Sequence, residues 1–217
     1  MKLFLFIITT IVLVVICLST LMFIDNDFSR YVRFDLKQIL TQRLVCIDEW
    51  PESKKFDAMY ILGGSSVAQK YKFEVASRIY QQKICRNIIF MSLQGVTRYS
   101  RDLARNLTNN EWSILKMEKL GIPSSDVKAV FMEHGLLGTM NEAENISKLA
   151  LRNKYKSLLL IAAPYHSRRV RLSFNNFIKG SDLKFIILGS GENVYLRSLV
   201  FEWIKLKLYQ IFIFLNQ

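Results

Sequence analysis

From residue 57 onward, short apolar runs alternate with longer amphipathic stretches, and this rhythm limits the possible folds more than any other feature of the chain. The runs are residues 57–62, 87–92, 127–132, 157–162 and 184–188. Residues 72–82, 110–120, 140–153, 165–177 and 198–214 read as helices, the second stopped by Gly121 and Pro123. Runs that are apolar at consecutive positions, such as 158–162, suit strands covered on both faces. The alternation predicts an α/β fold: a Rossmann-like parallel sheet of about five strands with helices on both faces. Residues 93–109, which carry Arg98, Arg101 and Arg105, are expected to form a polar loop.

Ahead of this pattern, residues 3–24 run for 22 positions without a charge. At about 1.5 Å rise per residue, such a helix crosses a hydrocarbon core of about 30 Å. A cleavable signal peptide has a shorter apolar region, about 7–15 residues, ending in small side chains. Leu21-Met22-Phe23-Ile24 offers no such exit, and Val14-Val15-Ile16 lacks the small residue that a lipoprotein site needs before its cysteine, here Cys17. The expected organisation is a transmembrane signal anchor over 1–25, a membrane-proximal helical linker over 26–55 and an α/β domain over 56–217. Residues 28–45 place apolar side chains near helical spacing, with Arg30, Arg33, Lys37 and Arg43 between them. Such a helix suits lipid headgroups or the surface of the domain. Counted by Lys and Arg alone, Lys2 before the anchor against these four after it would keep the domain in the cytoplasm.

The formal net charge of +12 favours an anionic partner: a membrane face, a phosphorylated substrate or nucleic acid. No zinc-finger spacing and no aromatic-basic RNA-binding motif is present, so nucleic acid is not expected. Of the three cysteines, Cys46 and Cys85 lie outside the anchor, in no CxxC or metal-ligand spacing. They are expected to be buried thiols, and no metal site is indicated.

Two strand exits carry the chemistry. Gly63-Gly64-Ser65-Ser66 follows the first strand, where glycines let backbone amides approach an anion and hydroxyls add donors. The spacing is neither a Walker motif nor GxGxxG, and a tight turn would use the same residues. Tyr165-His166-Ser167-Arg168-Arg169 follows the fourth strand, joining an imidazole and guanidinium groups to a helix start. A solvated basic helix face is the plainer explanation. In a parallel sheet both exits lie at the carboxyl edge, where ligands bind. His134, the other histidine, follows the third strand in an ordinary loop context. Thr139 with Glu142 three residues later has the form of a capping box. Thr139, Glu142 and Asn145 also share a helical face directed at the same crevice. Glu111 opens another helix, where a carboxylate suits the dipole. No Ser-His-Asp triad is recognisable from spacing.

With these residues placed, the chain from about 56 to 214 resembles the SanA/ElyC/YdcF superfamily of bacterial envelope proteins, SanA-like members in particular. The shared motifs are Leu62-Gly63-Gly64, the helix Lys72-Phe73-Glu74-Val75-Ala76 ending at Tyr80, Asn110-Glu111, Leu120-Gly121-Ile122-Pro123, the helix start at Thr139, and Tyr165-His166-Ser167-Arg168-Arg169. Lys72 stands where the family usually has arginine, Gly138 where it has asparagine, and Val170 where it has a small residue. Ser92-Leu93-Gln94-Gly95 replaces its Ser-Gly-Gly/Asp, which leaves room for a changed ligand. The resemblance implies a Rossmann-like fold, one anchor helix in the inner membrane and a periplasmic domain, against the charge count. It also implies a part in envelope barrier function or peptidoglycan and lipid-carrier metabolism. The expected ligand is a phosphorylated or pyrophosphorylated lipid or cell-wall precursor. Gly63, Gly64, Ser65, His166 and Arg169 would contact its anionic group, with Thr139, Glu111, Glu142 and Asn145 as polar partners. Some relatives bind S-adenosylmethionine, so an enzyme acting on a phosphorylated substrate or using that cofactor is an alternative. A non-catalytic envelope adaptor is another.

Overall fold

The structure, a computed structural model, describes residues 27–52, 54–92, 94–132 and 137–215. The expected anchor, residues 3–24, and His134 lie outside them. In chain order the strands are β1 (Ala58–Ile61), β2 (Ile88–Ser92), β3 (Val96–Ser100), β4 (Arg105–Thr108), β5 (Val127–Phe131), β6 (Ser157–Ala162) and β7 (Lys184–Gly189). The helices are α1 (Asp27–Leu44), α2 (Ser66–Gln81), α3 (Asn109–Lys119), α4 (Gly138–Arg152), α5 (Ser167–Ile178) and α6 (Leu196–Leu215).

Five strands form one parallel sheet in the order β5-β2-β1-β6-β7. Its centre is fully covered, because the period of two sends alternate side chains to opposite helical layers. Met59, Ile61, Leu159 and Ile161 pack with Phe73, Ile79, Trp112 and Met117 of α2 and α3. Ala58, Tyr60, Leu158 and Leu160 pack with Ala143, Ile146, Val170 and Phe174 of α4 and α5. That two-sided burial explains why β1 and β6 read as unbroken apolar runs.

Residues 93–109 depart from the expected loop. β3 and β4 pair antiparallel as a separate two-stranded hairpin, with Val96 opposite Thr108 and Ser100 opposite Arg105. Their pattern escaped notice because Val96 and Tyr99 are exposed and no core imposes an alternation. α2 also begins six residues before the expected start at Lys72. Ser65 is its N-cap, accepting a hydrogen bond from the Ala68 amide.

α1 and α6 pack together outside α5 through Leu40, Leu44, Leu199 and Leu206. The chain after α1 is tied to the domain rather than hanging from it. Asp48 accepts from the Ile187 amide of β7 at 2.7 Å and pairs with Arg171 at 2.5 Å. Cys46 donates its amide to Ser167 Oγ at 2.7 Å. Cys46 and Cys85 are both free thiols, and burial pushes the Cys85 thiol up to about 11. Among the described residues no helix is long and apolar enough to cross a membrane.

Candidate functional site

The chain leaves β1 toward β2 on one side and reaches β6 and β7 on the other, so the loops after β1 and β6 diverge. A crevice of about 430 Å³ opens between them, lined by Leu62, Gly63 and Gly64 after β1 and by Ala162, Ala163 and His166 after β6. This is the topological switch point of an open parallel sheet, at its carboxyl edge. The volume suits a small ligand or headgroup. α2 starts just beyond Gly64, α4 starts at Gly138 and α5 starts just beyond His166. Three helix N-termini therefore border one space, and their dipoles favour negative charge in it.

One wall is organised by Glu202, buried on α6. Arg169 donates to it from Nε at 3.0 Å and from Nη2 at 3.1 Å. Arg169 Nη1 donates to Thr139 Oγ1 and, at 3.4 Å, to Tyr209 Oη, while the guanidinium lies 5.1 Å from the Tyr209 ring centre. His166 Nδ1 lies 2.6 Å from Glu202 Oε2 and 2.9 Å from Arg169 Nη2. A lone pair facing a carboxylate at that distance would be repelled, so the proton sits on Nδ1 and the carboxylate accepts it. Burial lowers the His166 pKa, and Arg169 and Lys72 act in the same direction against Glu202. A neutral ring with its Nε2 lone pair free for a ligand follows. Burial alone would raise the Glu202 carboxyl, but the His166 and Arg169 donors override it and hold it at about 2.

The opposite wall is organised by Glu142. Its Oε2 accepts from Tyr60 Oη at 2.7 Å and from the Gly63 amide at 3.1 Å. A Cβ at Gly63 would stand 2.9 Å from Met91 Cε and 3.2 Å from Glu142 Oε1, so glycine there admits the carboxylate. Lys72, buried on α2, donates to the Leu62 and Gly63 carbonyls at 3.0 and 2.6 Å. Burial lowers its pKa, opposed by Glu192 and Glu142. Lys205 reaches the rim and lies 3.3 Å from Glu202. Lys72, Arg169 and Lys205 thus face two carboxylates, both already supplied with donors.

Of the residues singled out in the sequence, Gly63, Gly64, Thr139, Glu142, His166 and Arg169 all line this crevice. Ser65 does not, being the cap of α2. Asn145 is exposed and donates to the Asn141 carbonyl of its own helix at 2.8 Å. Glu111 lies beside the hairpin, where Arg105 grips it at 2.9 and 2.6 Å and holds its carboxyl at about 2. The expected capping box at Thr139 and Glu142 does not form. α4 starts two residues earlier than expected, with no side-chain cap, because both side chains are engaged across the crevice. The capping box present is Thr108 with Glu111. Glu202, Tyr60, Tyr209 and Lys205 were missed. Glu202 had a signal: it is the acidic residue in register with Leu199, Leu206 and Tyr209 on an apolar helix. Among the described residues, no cluster of His, Cys, Asp and Glu could hold a metal ion. No protein-family model matches the chain, and no curated protein matches it either.

Proposed function

We propose that this chain is a membrane-anchored, SanA-like envelope protein whose crevice binds the phosphoryl or pyrophosphoryl group of a lipid carrier or cell-wall precursor. The observation that carries the binding reading is the convergence of three helix N-termini with Lys72, Arg169, Lys205 and a neutral His166 around one space. Arg169 acts there chiefly as a positioning group, since its donors are engaged by Glu202, Thr139 and Tyr209. Lys205 and the Gly64 backbone are left to meet the anionic oxygens of a ligand, and His166 Nε2 can accept from a protonated phosphoryl oxygen. The family reading is supported by the order of its motifs, of which Leu62-Gly63-Gly64, Lys72, Thr139 and His166–Arg169 meet at this crevice. The uncharged run 3–24 supports the anchor, and the family resemblance, against the Lys and Arg count, supports a domain on the outer face of the inner membrane.

A second reading, catalysis on a phosphorylated substrate, is favoured by the His166–Glu202 pair. An imidazole with Nδ1–H on a carboxylate and a free Nε2 can take a proton from a water that attacks phosphorus, or form the N–P bond itself as the P–O bond to the leaving oxygen breaks. Thermal unfolding of the detergent-solubilised full chain with phosphate, pyrophosphate or S-adenosylmethionine tests which ligand the crevice takes, and release of phosphate from pyrophosphate by the same sample would mark the catalytic reading. Ligand at a hundredfold excess over Kd adds about 2.7 kcal/mol, so pyrophosphate should raise the melting temperature by several degrees. A rise with S-adenosylmethionine alone would indicate methyl transfer instead, and no rise with any ligand would favour the adaptor.

A further inference from the structure

The last helix has two apolar stripes, and the domain uses one of them. Leu199, Leu206, Tyr209 and Ile213 of α6 face inward with Glu202. Phe201, Ile204, Leu208, Ile211 and Leu215 recur at steps of three and four residues on another side, each between 45% and 74% exposed. α1, packed against α6, adds Tyr31 and Phe34, exposed by 66% and 60%. Isolated exposed apolar residues are ordinary, but a continuous row this long marks a docking surface.

We infer that this stripe lies in the interface of the anionic bilayer, so that the crevice opens against the lipid surface and takes its ligand as a lipid headgroup. Three observations point to lipid. Arg197, Lys205 and Lys207 lie among the apolar residues, with Tyr195 and Trp203 beside them, the mixture of cations and amphipathic rings that suits a headgroup layer. Only residues 25 and 26 separate the uncharged run 3–24 from α1, so an anchor there would hold the α1–α6 pair beside the membrane. Leu208 belongs to the stripe and also lines the crevice, as does its neighbour Lys205, so the apolar surface continues into the rim. An amphiphile with its tail in the bilayer could therefore reach His166 without leaving the membrane plane. The inference rests on the anchored reading above and adds which face of the domain meets the lipid.

The test uses the full chain reconstituted in phosphatidylethanolamine–phosphatidylglycerol vesicles, with and without brominated acyl chains. Ile211→Trp and Phe201→Trp each place a new fluorophore on the stripe, and Lys70→Trp places one on exposed α2. Emission above that of the wild type reports the introduced ring. Both stripe variants should lose most of that emission to brominated lipid and little to aqueous acrylamide, with Lys70→Trp behaving the opposite way. Acrylamide quenching of the stripe variants at the level of Lys70→Trp would overturn the inference. So would shielding from both quenchers, the result for a second copy seated on α6. Retention in carbonate-washed vesicles is scored separately. Retained protein with unquenched stripe positions overturns the docking face alone, whereas release overturns the anchor as well.

Discussion

Glu202 holds the crevice together although it comes from neither strand exit. Its carboxylate receives Arg169 and His166 in a site nearly closed to water, where removing one partner of a pair costs about 3–5 kcal/mol. Arg169→Ala should therefore unfold at a much lower temperature than wild type. Arg169→Met combined with Glu202→Leu should recover most of the loss, since neither charge is then stranded. The sign of the pH dependence follows from the same pair. Glu202 has a folded pKa of about 2 against an ordinary 4.5, so its contribution is full above 4.5 and disappears as pH falls toward 2. By linkage this amounts to about 3 kcal/mol. His166, lowered from 6.5, acts with the same sign, its contribution present above 6.5 and lost as pH falls through its folded value. Calorimetry from pH 7 to 3 should show falling stability in wild type, and the double variant should show a clearly smaller fall below pH 4.5, the remainder coming from carboxylates such as Glu111. Arg169 was legible because it follows a buried strand directly. Glu202 was not, because its partners lie more than thirty residues away and its own helix reads as apolar.

At the scale of elements, two stretches with the same local pattern behave differently. Thr108-Asn109-Asn110-Glu111 and Thr139-Met140-Asn141-Glu142 both satisfy the capping-box spacing. At α3 the box closes, with Glu111 accepting from the Thr108 amide at 2.8 Å. At α4 the Tyr60 hydroxyl and the Gly63 amide take the glutamate, and Arg169 takes the threonine. Short-range pattern could not separate the two, since the competing partners come from β1 and α5. Thr108→Ala should cost about 1 kcal/mol in denaturant unfolding, the usual loss of an N-cap. Thr139→Ser, which keeps the hydroxyl that Arg169 reaches, should stay within about 0.5 kcal/mol of wild type. A loss of about 1 kcal/mol or more in Thr139→Ser would contradict the assignment of its role to the hydroxyl alone. The central strands β1, β2 and β6 were legible to within a residue or two because burial leaves an unbroken apolar signature, and the partly exposed edge strands β5 and β7 were placed by their spacing between helices. The hairpin was not, because its two strands cover no core.

The whole molecule joins a parallel sheet, a crevice at its switch point and a final helix that supplies both a wall of that crevice and an exposed apolar stripe. Alternating runs in the sequence were enough to indicate the sheet and its carboxyl edge. The contribution of α6 was hidden, since a helix with two apolar stripes reads from its sequence as one buried element. Ligand binding at the crevice is the claim on which the functional reading depends, and calorimetric titration of pyrophosphate into the detergent-solubilised full chain tests it most directly. Wild type should bind. Lys205→Ala should weaken binding roughly tenfold or more, in line with loss of one charge-assisted contact of about 1.5–3 kcal/mol, and His166→Ala severalfold, in line with loss of one ordinary hydrogen bond of about 1 kcal/mol. Glu111→Gln, outside the crevice, should leave the affinity unchanged. No binding by wild type, or equal affinity in His166→Ala, Lys205→Ala and wild type, would contradict the assignment of this crevice as the anion site.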